Sequence, residues 1–111
     1  MKQAQDFLED SRQLFILLRN KNDEDFKIKT QFKNWTIGDV IGHLHIFNFA
    51  ANLSLKSSDE FETFFLPMTQ ALKKGAPLID IQNSWLNGLT GKALLDAWWE
   101  EAQVVSKNFE I

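Results

Sequence analysis

The stretch that most constrains this chain is WTIGDVIGHLHIFNFAANLSL, from Trp35 to Leu55. Its apolar residues recur at helical spacing on two sides. Val40, Leu44, Phe47, Ala51 and Leu55 form one stripe. Gly42, Ile46, Phe49 and Leu53 form a second, roughly opposite the first. A helix apolar on two sides is buried on two sides, so the second stripe should meet another segment of this chain or a second copy of it. The start of the helix is also marked. Thr36 is a good N-cap, and Asp39 at the third helical position completes a capping box, an arrangement that contributes about 1 kcal/mol. Trp35 before the cap and Val40 after it can pack as a hydrophobic staple. The Asp39 carboxylate faces the positive end of the helix dipole. Capping therefore accounts for Thr36 and Asp39 without a catalytic role.

Two histidines lie in this helix, and there are no others in the chain. His43 flanks the first stripe. Imidazole is a common metal ligand and a general base near neutral pH, so His43 is the candidate site residue, against the plainer reading of a satisfied core histidine. His45 lies away from both stripes, nearer Asn48 and Asn52, and reads as a solvated or hydrogen-bonded side chain.

The flanking segments are also helical. Ala4, Phe7, Leu8, Ser11, Leu14, Phe15 and Leu18 place a first helix over residues 3–20. Asn20 to Asn34 is polar and reads as a connecting loop anchored by Phe26, Ile28 and Phe32. Ser57 and Glu60 offer a second capping box, followed by Phe61, Phe64, Phe65, Met68 and Leu72 at helical spacing. Pro67 should kink or split that helix near Leu66, and Gly75 should end it. Pro77 to Leu89 reads as a short helix closed by an Asn87-Gly88 turn. Thr90 can cap a last helix carrying Leu94, Leu95, Trp98, Ala102, Val105 and Phe109, with Trp99 and Val104 off its stripe. The pair Trp98 and Trp99 reads as core or interface rather than as a pocket lining.

The residues Trp35, Thr36, Asp39, His43 and Leu44 make the pattern W-T-x-x-D-x-x-x-H-L. This resembles the DinB-like superfamily, and more closely the branch containing the N-terminal domain of mycothiol-dependent maleylpyruvate isomerase. The longer run FKNWTIGDVIGHLHIFNFAANLSL is similar to a bacterial subgroup of that branch described only as metal-binding. The resemblance implies an all-α, DinB-like antiparallel bundle, often dimeric, holding one divalent metal through three side chains. The histidine of the motif maps onto His43. The other two ligands in that branch are a carboxylate and a histidine four residues apart on the last bundle helix. This chain has no histidine after His45, and Glu100 and Glu101 have no matching partner. The expectation is therefore three main helices plus a short inserted pair, with the fourth bundle helix missing from this chain: either the natural protein continues beyond Ile111, or the metal site has been lost.

Length and composition bound the rest. The chain has 111 residues and a formal net charge of −3. That is one domain, 1–111, long enough to bury roughly 65% of its unfolded surface. With 10 Phe and 4 Trp but no Tyr, its aromatic residues serve mainly as core filler. The absence of cysteine excludes disulfides, thiolate metal sites and a cysteine nucleophile. An acidic balance without a Lys/Arg cluster argues against nucleic acid as partner. No uncharged apolar run approaches the ~20 residues that span a bilayer, and no leader opens the chain, so a cytoplasmic protein without a membrane partner is expected. Asn34-Trp35-Thr36 and Asn52-Leu53-Ser54 match the glycosylation sequon by chance on that view. There is no glycine-rich phosphate loop, no H-E-x-x-H and no Ser/His/Asp set.

Two functions follow. The first is a divalent-metal-binding domain, the metal being zinc, nickel or iron, that acts with a low-molecular-weight thiol in transfer or isomerisation. His43 is then one ligand. The second is a non-catalytic helical module that forms a homodimer through its apolar stripes, with His43 a core residue.

Overall fold

Capping and turn residues set the element boundaries. The structure is a computed structural model and describes residues 2–109. Its order is α1 (Lys2–Leu18), a short 3-10 helix (Asp23–Lys27), α2 (Ile37–Lys56), α3 (Ser58–Lys73), α4 (Leu78–Leu86) and α5 (Gly91–Asn108). The domain is all-helical, a DinB-like bundle of three main helices, α1, α2 and α5, with α3 and α4 as the inserted pair. The anticipated continuation of the pattern past Ile111 lies outside the described residues.

The capping box at the head of α2 is present in both directions. Asp39 N–H donates to Thr36 Oγ1 at 3.0 Å, and Thr36 N–H donates to Asp39 Oδ2 at 2.9 Å. At α3 only half of the expected box forms: Glu60 N–H donates to Ser57 Oγ at 3.2 Å. Asn87 takes a left-handed conformation, φ 50°, to end α4, as the Asn87-Gly88 turn requires. Pro67 does not split α3, which runs unbroken past it. One missing amide removes one hydrogen bond, and the rest of the helix outlasts that loss. Of the three expected anchors before α2 only Phe26 is buried; Ile28 and Phe32 are more than half exposed. The anchor is thus the single residue that sits on the 3-10 helix.

α5 is the centre of the bundle. Its Leu94, Leu95, Trp98 and Ala102 join Leu18, Phe26 and Ile41 in one buried cluster. α1 runs antiparallel to α5. Ser106 Oγ donates to the Ala4 carbonyl at 3.0 Å at one end. Further along, Phe15 stacks on Trp99 with ring centroids 5.1 Å apart. α2 instead runs parallel to α5, since Asp39 lies by Leu94 and Asn52 reaches Glu101 and Asn108. The α3–α4 pair makes this direction accessible by carrying the chain back between them.

The α3–α4 pair covers the second stripe of α2. Phe49 packs on Phe64 at 5.0 Å and on Trp85 at 5.2 Å. Gly42 lies against α4 so closely that an added Cβ would stand 2.7 Å from Leu86 Cδ1. Gln82 of α4 is fully buried there and donates through Nε2 to the Asp39 carbonyl at 2.8 Å. The first stripe has the opposite fate. Leu44, Phe47 and Leu55 are 36%, 59% and 52% exposed, so this side of α2 faces outward.

Candidate functional site

The capping box fixes the rotation of α2, and with it the position of His43, the seventh residue of the helix. The His43 ring is half-buried between two aromatic rings. Trp35 meets it edge-on at 5.5 Å, and Phe47 at 4.7 Å. Phe32 continues the row by packing edge-on against Trp35 at 5.4 Å. This aromatic row runs along the outward side of α2, beside the exposed Leu44. His43 Nδ1 is buried without a hydrogen-bond partner. A buried polar nitrogen left in that state costs about 1–3 kcal/mol.

A ligating histidine anchors its second ring nitrogen on a carbonyl or carboxylate, and His43 Nδ1 has no such partner. Among the described residues no group of three His, Asp or Glu side chains comes together to hold an ion. The described residues therefore offer one ligand, and one imidazole is short of the three or four protein ligands of a metal centre.

A family model described as the mycothiol maleylpyruvate isomerase N-terminal domain matches residues 8–110. The chain belongs to that family. The match also places it in the DinB-like superfamily, in keeping with the helical bundle. Searches of curated proteins and of solved structures returned no match. In this mycothiol-isomerase-type domain, no helix among the described residues is long and apolar enough to cross a membrane.

The second histidine overturns the sequence expectation. His45 is neither solvated nor hydrogen-bonded through Nδ1: it is 7% exposed and that nitrogen has no partner. It packs against Trp85 at 5.4 Å and floors a cleft of about 530 Å³ between α2, α4 and α5. Burial pushes its imidazole below the ordinary value of 6.5, while the Glu101 carboxylate opposes that shift. Glu101 is held in place from α2, because Asn52 Nδ2 donates to both its side chain and its backbone carbonyl. Asn52 in turn accepts from Asn108 Nδ2 at 2.9 Å. Sequence reading missed this group because it sorted α2 by its apolar stripes. The available signal was the line Ile41, His45, Phe49, Asn52, which follows helical spacing and forms the face toward α5 and α4.

A larger cleft of about 640 Å³ lies at the heads of α2 and α5. Its carboxylates are already engaged. Asp39 serves the α2 cap, and Asp23 accepts from Lys92 N–H at 2.9 Å. Thr90, expected to cap α5, makes no side-chain cap bond; Asp23 does so across the fold.

Proposed function

We propose that this domain works through the outward side of α2 at His43, as a metal-ligating surface on which His43 is one ligand and the others come from outside the described residues. The observation that carries this reading is the placement of His43, a half-buried imidazole held between Trp35 and Phe47 on a side of α2 where Leu44, Phe47 and Leu55 stay exposed. Such a surface is built to be covered. The family's thiol context makes a low-molecular-weight thiol the companion to test, with zinc, nickel or iron as the ion. A domain of this class is expected to act in thiol-dependent transfer or isomerisation once those ligands are in place.

The same exposed apolar residues support a second reading, a homodimer through α2 without a functional metal. One experiment separates the two. Metal content and mass by light scattering are measured on the purified protein, on His43→Ala and on Phe47→Asp. Bound metal that is lost in His43→Ala while the fold persists supports the metal-ligating surface. A metal-free dimer that survives His43→Ala and dissociates in Phe47→Asp supports the interaction module. A metal-free monomer that takes up no added zinc would refute both.

A further inference from the structure

We propose that the cleft between α2, α4 and α5, floored by His45 and walled by Phe49, Trp85, Glu100 and Glu101, binds a small molecule with an ammonium head and an apolar body. At about 530 Å³ the cleft falls in the ~300–1,000 Å³ range of small-molecule sites. It is separate from the His43 surface. His45 follows His43 by two residues, a rotation of about 200° around α2.

Each wall specifies part of the ligand. Phe49 and Trp85 pack on one another at 5.2 Å and offer rings to an apolar body. Aromatic faces also attract a cation held over them. Glu100 is exposed at the rim, and Glu101 is half-buried. The Asn52 amide fixes the Glu101 carboxylate in place before any ligand arrives. No lysine or arginine lines this cleft, so the charge it presents is negative. Lys56 lines only the adjoining groove, which runs past Glu101 to Asn52 and Asn108.

His45 is the second, independent sign of a ligand. It is nine-tenths buried at the cleft floor and keeps an unpartnered ring nitrogen. The two carboxylates and the two aromatic rings together select an amine over a carboxylic acid or a neutral alcohol.

The test is a titration of the full chain with 2-phenylethylammonium chloride, followed by the ring-proton NMR signals of the two histidines. Those signals are assigned with His43→Ala and His45→Gln. The expected result is a saturable shift of the His45 signals. 2-Phenylethanol and phenylacetate, of similar size, should bind about tenfold more weakly or not at all. Glu101→Gln removes the charge and should weaken the amine by about tenfold or more. His43→Ala should leave its binding unchanged. If Glu101→Gln does not fold, Glu100→Gln at the exposed rim serves instead and should weaken binding severalfold. Equal binding of the amine and the alcohol overturns the proposal. So does an amine affinity unchanged by the carboxylate variant, or a titration that leaves the His45 signals in place.

Discussion

The start of α5 depends on Asp23, which stands 69 positions before the Lys92 amide it caps. Gly91 opens the helix at φ 59°, where an L side chain is strained. Asp23 Oδ1, from the 3-10 helix, accepts Lys92 N–H at 2.9 Å and so takes the capping role that Thr90 leaves open. A Cβ on residue 91 would stand 2.3 Å from that same oxygen. Gly91→Ala therefore imposes left-handed strain of about 1–2 kcal/mol. It also displaces the cap, worth about 1 kcal/mol. The total is about 2–3 kcal/mol. Asp23→Ala alone costs about 1 kcal/mol through the lost cap. The double variant loses the cap only once and has no clash. It should cost about 2–3 kcal/mol, short of the sum of the two by about 1 kcal/mol. Urea unfolding followed by circular dichroism, with a common m-value, measures all four corners of this cycle. Costs that add to within ~0.3 kcal/mol would show that Asp23 does not cap α5.

Two further outcomes are expected. Trp98 is 2% exposed at the centre of the cluster that joins α1, α2 and α5, so Trp98→Ala should cost about 3–5 kcal/mol in the same urea assay; a loss under 1 kcal/mol would mean that the cluster is not the core. His45 holds its proton less tightly folded than unfolded, so below pH 6.5 the unfolded chain takes up a proton that the folded chain refuses, and stability falls with pH until the folded group also titrates. Each tenfold loss of proton affinity is worth about 1.4 kcal/mol. His45→Gln should flatten the stability change measured between pH 7 and pH 5, and an identical slope in both proteins would contradict the burial of this ring.

Much of this architecture was legible because it is local. The Thr36–Asp39 box, the Asn87-Gly88 turn and the apolar spacing of α1 and α5 each act within a few residues, and each element is where its own residues put it. The W-T-x-x-D-x-x-x-H-L pattern belongs to the same local stretch, and it carried the family. What was not legible depends on contacts far apart in sequence. Asp23 caps a helix that begins far along the chain, and nothing near residue 23 announces that. Asn52 and Glu101 meet only because α2 and α5 run parallel, a direction set by the inserted α3–α4 pair.

The misjudged side of α2 has a more specific cause. α1 and α5 carry polar faces, so their apolar faces point one way. α2 is apolar nearly all round, and such a helix does not by itself say which side is inward. Gly42 carried the missing information. A glycine in a helix interior costs about 1 kcal/mol relative to alanine. That cost is offset where no larger residue fits, and here Leu86 and Gln82 occupy the space a Cβ would take. The tightest contact of α2 is therefore on the glycine side, with Ile41 and His45 turned toward α5 beside it. Leu44, Phe47 and Leu55 fall on the remaining side, exposed alongside His43. By the same geometry the two histidines part: His45 belongs to the closed side and its cleft, and His43 to the side where Leu44, Phe47 and Leu55 stay exposed.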